Sequence, residues 1–219
     1  MDLLVLPQFL GMLLLLGTAG VLALALSAAL WAAATRNRAV LRRALLVASG
    51  MAGIYLLFWL GGLALTRRVV LPPGEALSFC GLDCHLHVAV DAVRRADDVA
   101  VTVRFSSNAA RAPEWPDALS FRLRDAAGAE FSPSNAVPKT PVLAGQSWTH
   151  ELRFPRTARI EGAQLIVTWG GWLDYLVPGE GNPLVQRQRR LALPAAAATG
   201  ALGRTSKLVE SGMEGRVSR

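Results

Sequence analysis

The chain reads as a two-helix transmembrane hairpin followed by an all-β, immunoglobulin-like antiparallel sandwich. Three features predict this: two uninterrupted apolar runs, a cluster of arginines between them, and a downstream series of short alternating segments without an amphipathic helix. The predicted units are a hairpin over 1–68, with spans at 10–34 and 44–65, a β-domain over 69–193, and a flexible tail over 194–219.

The two runs, Leu10 to Ala34 and Ala44 to Leu65, contain no charged side chain. Each exceeds the roughly 20 residues that a helix rising about 1.5 Å per residue needs to cross about 30 Å of hydrocarbon. Neither shows the polar stripe of a helix that borders water. A cleavable signal peptide would have a shorter apolar core behind a basic leader, whereas only Asp2 and the start amine carry charge before the first run. The first span is therefore read as a retained anchor. Between the runs lie Arg36, Arg38, Arg42 and Arg43 with no acid. Arginines in short loops stay on the cytoplasmic side, so the hairpin is expected to dip inward. Both chain ends and the β-domain then lie on the outer side of a bacterial inner (plasma) membrane, with Arg67 and Arg68 a weaker opposing signal. Gly11, Gly17, Gly20, Gly50, Gly53 and Gly61 supply small contact positions on the two helices.

A net charge of +7 and a pI near 10.6 would suggest nucleic acid as a partner if taken over the whole chain. Split by region, the segment from Val69 to Leu193 holds thirteen Arg or Lys against thirteen Asp or Glu. The basic excess belongs to the membrane boundaries and the tail, so nucleic-acid binding loses its electrostatic basis.

The β-domain is long enough for one core. Its strands announce themselves by alternation: Val99, Val101, Val103 and Phe105; Leu119, Phe121 and Leu123; Trp148, His150, Leu152 and Phe154. Further strands are expected at 75–80, 84–93, near Glu130, at 160–169 and at 184–193. The three prolines in Ser132 to Pro141 mark a long loop between the sheets. The tail lacks a sustained apolar pattern.

One constellation could carry chemistry: Phe79-Cys80-Gly81-Leu82-Asp83-Cys84-His85-Leu86-His87, with both cysteines and two of the three histidines. On a continuous strand Cys80 and Cys84 would stand about 13 Å apart, beyond the Cα separation of about 5.5 Å that a disulfide needs. Gly81 and Asp83 can bend the chain into a tight turn, and extracytoplasmic thiols so placed are normally oxidised. A Cys80–Cys84 disulfide is the expected state. The alternative is a copper or zinc site made of Cys80, Cys84, His85 and His87, since two thiolates and two imidazoles suit those ions. The C-x3-C spacing is similar to that of the copper sites of cytochrome oxidase subunit II and of its thioredoxin-like copper-delivery proteins. The oxidase's methionine ligand has no counterpart here, because no methionine lies between Met51 and Met213. A covalent haem is disfavoured, as the usual C-x-x-C-H has one residue fewer.

No G-x-S-x-G, H-E-x-x-H, Walker or dinucleotide motif is present, and the carboxylates are scattered. No resident cofactor is expected, and catalysis is not. Trp115, Trp169, Trp172 and Tyr175 are either core or an exposed aromatic patch, and Trp115, Trp172 and Tyr175 are the candidates for partner binding.

Phe79 to His87, Leu123-Arg124-Asp125 with Gly128, and Trp172 to Leu193 resemble uncharacterised bacterial membrane-anchored proteins that carry a Phe-Cys-x-x-Asp-Cys-His-Leu segment. The resemblance covers the β-domain and implies an extracytoplasmic immunoglobulin-like domain of the DUF4352 type. That group often ends in a Gly-Asp-Glu-x-Ser-x-Leu-His stretch; Gly179 to Val185 corresponds, with Val185 at the histidine position. The expected function is a membrane-anchored binding or accessory subunit of a membrane protein complex, with the lipid bilayer and another integral membrane protein as partners. The rival is a copper-binding or thiol redox factor acting through Cys80, Cys84, His85 and His87.

Overall fold

The computed structural model describes residues 8–79 and 85–195. Two long helices, α1 (Gln8–Ala34) and α2 (Arg38–Leu65), form the hairpin, and both are long and apolar enough to cross a membrane. The loop between them is shorter than the sequence suggested. Asn37 caps α2 by accepting a hydrogen bond from the Val40 amide at 3.2 Å, so Arg38, Arg42 and Arg43 already belong to its first turns. Arg36 makes the reversal with φ 54°.

The contact between the helices runs along a stripe of small residues. In α1, Gly11, Thr18, Ala25 and Ala32 are buried, one every seventh residue. In α2 the covered positions include Leu41, Ala44, Ala48, Met51, Tyr55, Trp59 and Gly62, with Val40, Ala52, Gly61 and Leu63 partly covered beside them. The intervals of three and four from Leu41 to Gly62 are those of antiparallel helices winding gently around each other, and small side chains let the backbones approach. Gly17, Gly20, Gly50, Gly53 and Gly61 have room around them: a Cβ added at any of them would meet nothing within 4 Å.

Beyond α2 the chain builds two sheets. One contains β2 (Ala76–Phe79), β3 (Leu86–Arg95), β4 (Val99–Ser107) and β7 (Ser147–Phe154), in the order β2-β3-β4-β7 and antiparallel throughout. The other contains β1 (Val69–Leu71), β5 (Leu119–Arg124), β6 (Glu130–Phe131), β8 (Gln164–Trp169) and β9 (Arg189–Ala192), in the order β1-β9-β8-β5-β6. The expectation of a purely antiparallel domain is corrected here, because β1 pairs with β9 in parallel. The strand expected over 184–193 is also corrected: Pro183–Gln186 is a single helical turn, α3, and only its end is strand. Proline at the first turn, preceded by Asn182 as cap, favours helix at that point.

One core joins the sheets. Val99, Val101, Val103 and Phe105 of β4 meet Leu119, Phe121 and Leu123 of β5 and Leu165 and Val167 of β8, as their alternation foretold. Phe105 and Phe121 cross it edge to face, with ring centroids 6.1 Å apart. In β3 a register shift between Val90 and Ala92 inserts Asp91 as a bulge, which turns Val93 back toward the core and leaves Asp91 3.3 Å from Arg104. The loop from Ser132 to Pro141 does connect the two sheets, and Asn135 ties it to β7 by donating to the Glu151 carbonyl at 2.7 Å and accepting from the Arg153 amide at 2.8 Å.

Candidate functional site

The cysteine and histidine segment is described only in part. Cys80 and Cys84, and with them the expected disulfide and two of the four metal-binding candidates, lie outside the described residues. His85 and His87 are placed, and their neighbours draw the two rings to opposite sides of β3. The His87 Nδ1 is 2.9 Å from Ser78 Oγ on β2, whereas the His85 Nδ1 is 2.9 Å from Asn108 Oδ1, just past β4. Among the described residues, no three His, Cys, Asp or Glu side chains stand close enough to share an ion. His150, on the alternating face with Trp148 and Leu152, is half-buried, and its Nε2 lies 3.3 Å from the Asn135 amide.

Two carboxylates are each shared between two arginines. Glu130 holds Arg187 at 2.8 Å and lies 3.8 Å from Arg124. Glu151 bridges Arg94 at 3.1 Å and Arg153 at 3.2 Å. Arg190, only 8 % exposed, reaches Gln164 Oε1 at 3.0 Å and the Arg187 carbonyl at 3.2 Å. Its pKa is lowered, first by burial and then by the like charges of Arg124, Arg68 and Arg187, which Glu130 partly offsets.

The aromatic candidates are brought to one end of the domain. Trp115 precedes a 3-10 turn (Pro116–Ala118) that leads into β5, and Trp172–Leu176 is a 3-10 helix that follows β8. Because Leu119 pairs with Trp169, both loops emerge at the same sheet end, the end from which the chain returns toward the helices. Trp115, Trp172 and Tyr175 are exposed, Trp172 at 75 %; Trp169 instead packs partly against the core. Leu173 and Leu176, not singled out by the sequence, are exposed beside them.

A ring of side-chain to backbone bonds holds this loop in shape. Asn182, 1 % exposed, donates from Nδ2 to the carbonyls of Tyr175 at 2.9 Å and Val177 at 3.0 Å, and its Oδ1 accepts from the Leu184 amide at 2.9 Å. Asp174 accepts from the Gly171 amide at 2.6 Å, and Gln186 accepts from the Trp169 amide at 2.6 Å while donating to the Gly181 carbonyl at 3.2 Å. Gly170, at φ +114°, opens the loop in a conformation that L side chains rarely adopt, and the Asp174 carboxylate occupies the space a Cβ would need.

The same loop is seated on the hairpin. The Trp59 indole donates to the Tyr175 carbonyl at 2.9 Å, and the Tyr55 hydroxyl donates to the Leu176 carbonyl. On α1, Gly11 lies against the Pro178 carbonyl so closely that a Cβ there would collide with it; on α2, Gly62 faces the Gly179 amide. Gly11 is thus a contact position, but the atoms nearest to it belong to the β-domain loop at Val177 and Pro178. Sequence reasoning had no signal for Asn182 or Gln186, whose roles appear only once the loop is folded. No protein-family model, curated protein or solved structure matches this chain.

Proposed function

We propose that this chain is a membrane-anchored accessory subunit, without catalysis of its own, whose immunoglobulin-like domain stands on the extracytoplasmic side and whose hairpin docks against another integral membrane protein. The observation that carries the reading is the open glycine face: Gly17, Gly20, Gly50 and Gly53 have no neighbour within reach of a Cβ, while the helix pair is held by a different stripe. In lipid, small residues on an outward face favour helix association because they permit close backbone contact. The engagement of Glu130 and Glu151 with arginines agrees with a binding role, since neither is left as an isolated acid for proton transfer. In this reading Cys80 and Cys84 close a structural turn.

The test is to replace Gly17 and Gly53 together by leucine in the full chain and compare native-gel migration of mildly solubilised membranes. The variant should leave its assembly while keeping a wild-type thermal midpoint. A wild-type chain that migrates alone, or a variant that migrates unchanged, refutes the docking role.

A further inference from the structure

We infer that the 3-10 helix Trp172–Leu176 is immersed in the outer leaflet, so that the β-domain grips the bilayer directly, with lipid acyl chains covering Trp172, Leu173, Tyr175 and Leu176. This rests on the reading of α1 and α2 as membrane spans. Trp59 and Tyr55 stand six and ten residues before Leu65, the end of α2, which corresponds to about 9 and 15 Å along the axis. Arg67 and Arg68 follow at once and mark the polar boundary. Side chains on a helix tilt toward its N-terminus, here the Arg38 end, so Trp59 and Tyr55 do not climb toward that boundary. The carbonyls they bind, those of Tyr175 and Leu176, are therefore held below the headgroups.

The exposure of the segment fits that depth. Trp172 is 75 % exposed, Leu173 53 %, Tyr175 45 % and Leu176 46 %, a contiguous apolar group that water would not leave uncovered. Tryptophan and tyrosine beside leucines are also the composition of a chain segment at a membrane interface.

Backbone chemistry gives an independent reason. Irregular chain survives in hydrocarbon only where its polar groups are satisfied within the protein. Here the Tyr175 carbonyl has both Trp59 and Asn182, the Leu176 carbonyl has Tyr55, and the Val177 carbonyl has Asn182. The Gly171 amide has Asp174, and the Gly171 and Asp174 carbonyls accept the amides of Asp174 and Val177 at 3.2 and 3.1 Å.

The test is tryptophan quenching in liposomes containing the full chain and phosphatidylcholine brominated at successive acyl positions. Wild type is compared with Trp172→Phe, an exposed position where the ring is conserved, and with Trp59→Phe. The expected result is that bromolipid quenches emission belonging to Trp172, so that the Trp172→Phe variant loses that quenched fraction. Quenching of Trp59 but not of Trp172 would overturn the inference and leave the spans intact. A blue-shifted but unquenched Trp172 would also overturn it, as it would mean that protein rather than lipid covers the segment. If neither is quenched, the span reading itself fails and takes the inference with it.

Discussion

Asn182→Ala is the perturbation that most directly probes how the loop seated on the helix hairpin is held. The asparagine is 1 % exposed and makes three hydrogen bonds, at 2.9, 3.0 and 2.9 Å. Their loss is not equal. The Tyr175 carbonyl keeps the Trp59 indole as a partner, so its term is about 1 kcal/mol. The Val177 carbonyl belongs to a buried residue, and among the described residues Asn182 is its hydrogen-bond partner, which raises its cost to about 1–3 kcal/mol. Removing the cap on Leu184 adds about 1 kcal/mol. The sum is about 3–5 kcal/mol, which for a domain of this size lowers the thermal midpoint by roughly 10 °C or more. Near-ultraviolet circular dichroism of the full chain in nanodiscs would read it. Asn182→Asp should be no milder, because a carboxylate retains the acceptor for Leu184 but faces the two carbonyls without a hydrogen to donate. A shift of less than about 2 °C for Asn182→Ala would refute the assignment of this residue as the clasp of the loop.

Four further outcomes are expected. Ala25→Leu, at the centre of the buried α1 stripe, should force the helices apart at a cost of about 1–3 kcal/mol, seen as weakened protection from proteolysis in micelles, whereas Ala23→Leu on the exposed side should not. Glu130→Gln removes the acid that Arg187 and Arg124 share and should destabilise the domain by about 1–3 kcal/mol, with added salt recovering part of the loss in a denaturation series. Gly170→Ala should cost at least about 1 kcal/mol, measured as a lower midpoint, because φ +114° strains any L residue and Asp174 fills the space. Cys80 and Cys84 should resist alkylation until reductant is added; free thiols with bound copper or zinc would favour the metal-handling alternative.

Much of the architecture was legible as pattern. A long apolar run with no charge favours a continuous helix, and residues that alternate in a segment have one buried face, so both long helices and the strands at Val99–Ser107, Leu119–Arg124 and Ser147–Phe154 could be drawn from local sequence. The exposed state of Trp115, Trp172 and Tyr175 was not legible, since a tryptophan serves core and surface alike and only its neighbours decide.

Local periodicity therefore sufficed for the two long helices and for the inward faces of Val99–Ser107, Leu119–Arg124 and Ser147–Phe154, but not for Pro183–Gln186 or Trp172–Leu176, whose turns carry no repeat. Three features came only from how the chain packs. Packing chose Thr18, Ala25 and Ala32 as the covered face of α1 rather than the glycines at 17 and 20, since on a helix that is apolar all round hydropathy marks no side, and fit between backbones selects the stripe. It paired Val69–Leu71 in parallel with Arg189–Ala192, a match between distant short segments that neither announces alone. It also set the Trp172–Leu176 turn against Tyr55 and Trp59, because the donors that satisfy its carbonyls come from a helix more than a hundred residues earlier in the chain.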